Sequence, residues 1–160
     1  MRPTLLACVA SIALTISAAA FAAGGGGGQD TVVSKPADPN FTRAKAMIEA
    51  KDYRGAIPLL QQVVAKDGKN ADAYNLMGFA TRKSGDPNGS LQFYQQALAI
   101  DSKHLGAHEY IGEAYLMLDR LADAEQHLAR LDSLCVFGCS EYSMLRTAVA
   151  NYKAGKKPTN

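Results

Sequence analysis

Cys135, Cys139 and three histidines are the side chains of this sequence best suited to ligate a metal or to react. The two cysteines stand four apart in LDSLCVFGCSEY, a spacing open to a metal site, a redox centre or a structural disulfide. Two thiolates leave a tetrahedral metal incomplete, and no third and fourth ligand lies nearby. Thiol–disulfide exchange stays open as an alternative. Cys139 precedes Ser140 and Glu141 at the start of a helical pattern, where a helix N-terminus lowers a thiol pKa. The spacing is not C-x-x-C, however, and no strand–helix–strand pattern surrounds it. His104 and His108 in HLGAHEY share one helix face, but zinc catalysis needs a third ligand and a positioned base, and the motif is not H-E-x-x-H. His127 has no evident partner in the sequence. With no G-x-S-x-G, no paired-carboxylate signature and no dinucleotide loop after a strand, no catalytic residue, metal site or cofactor is assigned.

Which cysteine chemistry applies depends on compartment. MRPTLLACVASIALTISAAAFAA carries one basic residue, Arg2, then an uncharged apolar run ending in small residues, the pattern of a secretory signal peptide over residues 1–22. Ala20-Phe21-Ala22 fits the small-x-small cleavage rule, which predicts a periplasmic or secreted mature chain with no stable membrane span. Cys8 leaves with the signal, so Cys135 and Cys139 remain in a compartment that oxidises thiols. Residues 23–40, with five consecutive glycines, Pro36 and Pro39, read as a flexible linker. The whole chain has 17 basic and 15 acidic residues, one of the former lost with the signal, so nothing in the charge balance points to nucleic acid or an anionic membrane surface.

The elements that position these residues are helical. From Phe41 to Leu134 apolar residues recur at three- and four-residue spacings in six segments, broken by AKDYRG, AKDGKN, KSGDPN, AIDSKH and MLDRL. Pro58 falls near a helix start, where a missing N–H is tolerated. A shift of 34 residues lays Tyr74, Met77, Gly78 and Thr81 on His108, Ile111, Gly112 and Tyr115, and Ser90 and Tyr94 on Ala124 and Leu128. The opposite shift meets Asn40, Arg43, Ala44, Met47, Ala56 and Leu60. This period and its pattern of small and large residues resemble the tetratricopeptide repeat. Asn40 and Arg43 depart from the family's aromatic and Leu, and Gly68, Ser102 and Val136 replace its repeat-ending Pro.

The resemblance implies an all-α fold: three helical hairpins over residues 41–135 in a right-handed superhelical array. Residues 136–155 then form a disulfide loop and a capping helix, and 156–160 a basic tail. In the cap, Tyr142, Leu145, Val149 and Tyr152 form one stripe with Ala148, Ser140 is the expected N-cap, and Gly155 with Lys153, Lys156 and Lys157 suits the C-terminus. Ala44, Gly78, Gly112, Ala56, Ser90 and Ala124 would let the paired helices of a hairpin approach.

By the same resemblance the first helix of each hairpin lines a groove, with Phe41, Lys45, Ile48, Asn75, Phe79, Arg82, Glu109, Glu113 and Leu116 as the partner-binding residues. Glu109 and Glu113 oppose capture of a carboxylate; a peptide or partner helix with a basic and an apolar element fits better. The resulting expectation is an exported non-catalytic scaffold for a protein or peptide partner in the cell envelope, with self-association through the array's ends open. The alternative is a thiol–disulfide exchange protein using Cys135 and Cys139.

Overall fold

The computed structural model describes residues 38–159. The predicted signal peptide, its cleavage site and most of the predicted linker lie outside them. Seven helices and no strand occur among the described residues: α1 Pro39–Glu49, α2 Tyr53–Lys66, α3 Ala71–Lys83, α4 Pro87–Ile100, α5 Leu105–Met117, α6 Leu121–Leu134 and α7 Ser140–Lys153. The expected linker gives way to helix before Asn40, because Asp38 accepts from the Asn40 N–H at 2.8 Å and Pro39 needs no N–H at the first helical position.

The 34-residue period recurs as backbone geometry. Lys51, Gly85 and Asp119, one per hairpin, end α1, α3 and α5 in the left-handed region with φ of 63°, 100° and 61°. Each is followed by the same pair of bonds; in the second hairpin Gly85 N–H donates to Arg82 and Asp86 N–H to Thr81. This motif closes the helix and delivers the next residue as the cap of its partner. Asp52 and Asp86 accept from Gly55 N–H and Gly89 N–H, whereas Arg120 caps α6 with no side-chain bond. Pro58 lies in the second turn of α2, where it removes one ladder bond without ending the helix.

α1–α2, α3–α4 and α5–α6 pair as hairpins, and each hairpin packs on the next through α2–α3 and α4–α5. One apolar cluster holds Ala44, Ala56, Leu60, Val63, Ala73 and Met77; a second includes Tyr94, Ile111, Tyr115, Leu131, Leu145 and Val149. Small residues set the spacing, as expected. A Cβ on Gly78 would lie 2.6 Å from the Tyr94 ring across the α3–α4 hairpin. Gly112 differs: its missing Cβ makes room for Leu145 of α7, not for its hairpin partner, because the position equivalent to Tyr94 holds the smaller Leu128.

α7 is more than a cover. Asp67, Asp101 and Cys135 end α2, α4 and α6 at the same spacing, and the loop that follows Cys135 is one residue longer than the two before it. α7 therefore occupies the place of the first helix of a fourth hairpin, packed on α5 and α6. Its cap is not the expected Ser140: Cys139 Sγ accepts from Tyr142 N–H at 3.4 Å, while the Ser140 hydroxyl donates to Glu141. Gly155, at φ 80°, and Lys156 N–H bonded to Asn151 close its far end as expected. No helix among the described residues is long and apolar enough to cross a membrane.

Candidate functional site

The nine predicted groove residues occupy three equivalent positions on α1, α3 and α5. The sequence period brings them to one face, and the structure sorts them by burial. Phe41 and Ile48 are half-buried against the first core cluster, with Lys45 exposed beside them; a shallow depression of about 330 Å³ there includes Phe41, Lys45 and Glu49. Leu116 does not line the groove. It is fully buried in the second core cluster, because α7 covers the end of α5.

The centre of the site is aromatic and charged together. Phe79 lies 4.9 Å from the Tyr110 ring and 6.0 Å, edge-on, from the Tyr53 ring. The Arg82 guanidinium sits 5.6 Å and 5.7 Å from the Phe79 and Tyr110 centroids, cation–π range for both. It pairs with Glu113 at 2.7 Å and its Nε donates to the Tyr94 hydroxyl at 3.4 Å. Arg82 is thus a buried strut held by four side chains, and its charge is already spent on Glu113 instead of standing free to orient a partner. Burial pushes the Tyr94 phenol above its ordinary range, with the neighbouring Arg82 opposing.

Asn75 and Glu109, one repeat apart, are also buried. Asn75 Oδ1 has no hydrogen-bond partner. The Glu109 carboxyl is pushed up to about 8 by burial, then by the charges of Glu113 and Glu141, with Arg82 opposing. At neutral pH Glu109 is mostly protonated. Beyond it, between α5 and α7, lies a shallow depression of about 460 Å³ bounded by Glu113, Met144, Thr147, Ala148 and Asn151.

The sequence reading missed Tyr53, Tyr110 and Met144. Met144 corresponds to Glu109 once the extra residue of the loop before α7 is counted, a shift of 35 that the 34-residue period does not supply. Tyr53 and Tyr110 required the packing angle between helices.

The histidines form a structural pair. His108 Nε2–H donates to the Ser102 carbonyl at 3.2 Å, which leaves His108 Nδ1 to accept from His127 Nδ1–H at 2.8 Å. His127, expected to lack a partner, therefore has one, and it stacks on Tyr115 at 5.7 Å. His104 turns away: its Nδ1 caps α5 through Ala107 N–H, and its Nε2 lies 3.1 Å from Asp72. No cluster of three or more metal-ligating side chains occurs among the described residues. Cys135 and Cys139 have Cα atoms 5.6 Å apart, with their sulfurs at bonding distance.

Residues 82–149, from the end of α3 into α7, match the tetratricopeptide repeat model. The whole of the hairpin array carries that architecture. The chaperone SycD of the type III secretion translocator of Yersinia enterocolitica superposes with a TM-score of 0.65 at 17% identity, over 72% of this chain and 82% of that one. SycD in complex with a peptide of the translocator YopD gives 0.63 at 19% identity, over 72% and 88%. The first tetratricopeptide domain of Spaghetti (RPAP3), bound to the HSP90 peptide SRMEEVD, gives 0.64 at 16%, over 72% and 90%. At these identities the likeness is one of fold. The search of curated proteins gave no match.

Proposed function

We propose that this chain is an exported, non-catalytic scaffold that holds a peptide or protein partner in the groove formed by α1, α3, α5 and α7. The observation that carries the reading is the half-buried Tyr53–Phe79–Tyr110 cluster on the groove, rigidified by the Arg82–Glu113 pair. Aromatic side chains fixed by their neighbours offer contact area at little entropic cost, the usual character of an anchoring site. Structures of the same fold with peptides bound, the SycD–YopD and RPAP3–HSP90 complexes, support the mode. The signal-peptide pattern supports export to the periplasm or beyond. Pull-down from the native envelope tests it: Phe79→Ala combined with Tyr110→Ala should abolish capture of the specific partner. Unchanged capture by a folded double variant would overturn the groove as the binding face.

A disulfide between Cys135 and Cys139 belongs to the same reading. Intact mass without reductant should show two hydrogens fewer than the free dithiol. The second reading, thiol–disulfide exchange, is favoured by one observation: Cys139 caps α7 and receives an N–H bond at the positive end of the helix, a setting that stabilises a thiolate. It requires turnover of a disulfide substrate that disappears in Cys139→Ser.

A further inference from the structure

Glu109 is 3% exposed, and its desolvated carboxyl is held well above the ordinary carboxylate range. A carboxyl so desolvated stays neutral unless a cation meets it. Its surroundings do not compensate it. Arg82 is committed to Glu113 and Tyr94, while Glu113 on the same helix and Glu141 on α7 carry the same sign. Tyr110, beside Glu109 in the chain, has its own phenol pushed up by burial and by Glu109. One repeat earlier, at the equivalent position, the buried Asn75 Oδ1 is without a donor. Two adjacent inner helices thus place an unmet acceptor and a desolvated carboxyl at equivalent positions.

The depression between α5 and α7 adds shape to this deficit of positive charge. One wall carries the Glu113 carboxylate, which keeps a quarter of its side-chain surface exposed; the other carries Met144, about half exposed, and Ala148. An apolar wall opposite a carboxylate suits a side chain with a methylene stem and a cationic head.

We propose that this depression seats a lysine or arginine side chain of the bound peptide, its stem on Met144 and Ala148 and its cation shared by Glu113 and Glu109. The inference rests on the groove being the peptide site. Seating the cation ionises Glu109, whose carboxyl O–H releases its proton to solvent. Because that carboxyl titrates at about 8 in the free protein, its ionised fraction rises about tenfold from pH 7 to pH 9, and affinity for a cationic peptide should rise with it.

The test uses the purified mature chain and fluorescein-labelled decapeptides. These have an Ala/Ser host, a central Leu pair and one variable residue: Lys, Arg, norleucine or Glu. Anisotropy at pH 7 should show Lys and Arg peptides binding at least tenfold more tightly than norleucine. Their advantage should grow about tenfold at pH 9, and Glu109→Gln should remove both effects. Ser143→Lys, an exposed change on the α7 wall of the depression, supplies an internal cation and should block Lys peptides while sparing norleucine. Equal binding of Lys and norleucine peptides overturns the inference, as does a Lys preference that survives both variants. If norleucine binds equally and Phe79→Ala abolishes that binding, the groove stands and only the cation seat falls. If no peptide binds and partner capture ignores the Phe79 and Tyr110 changes, both readings fall.

Discussion

At the residue scale, buried polar groups set the chain's response to pH. The His108–His127 pair is neutral when folded: burial holds His127 at about 4, with the neighbouring His108 adding to the shift, and burial also lowers His108. In the unfolded chain both take up protons below pH ~6.5. The stability they contribute is therefore present above that value and lost as pH falls toward 4, on the order of 2 kcal/mol. Urea midpoints measured from pH 7 to pH 4 should fall in the parent protein and flatten in His127→Gln. Glu109 acts in the opposite sense. Its folded-state pKa is raised, so its contribution is intact below the ordinary carboxylate range and lost as pH rises through about 8. Glu109→Gln should accordingly raise Tm at pH 8 and leave it nearly unchanged at pH 4.5. Neither group was readable as such. His108 sits where the preceding repeat has Tyr74, a packing position, and the sequence spacing of 19 residues to His127 says nothing about a hydrogen bond across two helices.

At the element scale, the repeat is written in turns as much as in apolar faces. Lys51 and Asp119 adopt a backbone conformation that only Gly85 of the three takes at no steric cost. Asp119→Gly should stabilise by up to about 1 kcal/mol through relief of that strain. A second effect opposes it, because Asp119 receives Tyr152 and Lys157 from the end of α7. Asp119→Asn separates the two, keeping the turn while weakening the tie to Lys157, and thermal melts of both variants measure the balance. Close approach is less forgiving than the turn. Gly78→Ala should cost about 1–3 kcal/mol, since the new methyl meets the buried Tyr94 ring. The period-34 comparison marked Gly78 and Gly112 alike as small. Only packing showed that one admits a ring from its own hairpin and the other a leucine from α7.

At the scale of the whole array, α7 decides where the core ends. Leu145 and Val149 are buried against α5 and α6, and Gly112 exists to receive Leu145. Truncation after Cys135 would bare this face and should give aggregated protein by size-exclusion chromatography. The loop before α7 lacks an apolar anchor of its own, with Val136 79% and Phe137 100% exposed. A bond closing so short a loop would stabilise by only roughly 2 kcal/mol in the chain-entropy model. Its effect should instead appear in the angle of α7. Reduction, or Cys135→Ser, should leave helix content intact while speeding hydrogen exchange in α7.

The amino-acid sequence alone determined the helices, their pairing and the 34-residue register, because each follows from local preference: apolar spacing, turn residues and small residues at fixed offsets. It put the nine groove candidates at equivalent positions of α1, α3 and α5 for the same reason. Tertiary structure decided what the groove contains. Equivalent positions meet different neighbours at different depths, so Ile48 stays half-exposed, Arg82 becomes a buried strut and Leu116 vanishes into the core under α7. Burial likewise turned Glu109 from one more surface charge into a mostly protonated acid, since desolvation depends on what packs around a carboxyl and not on its place in the chain.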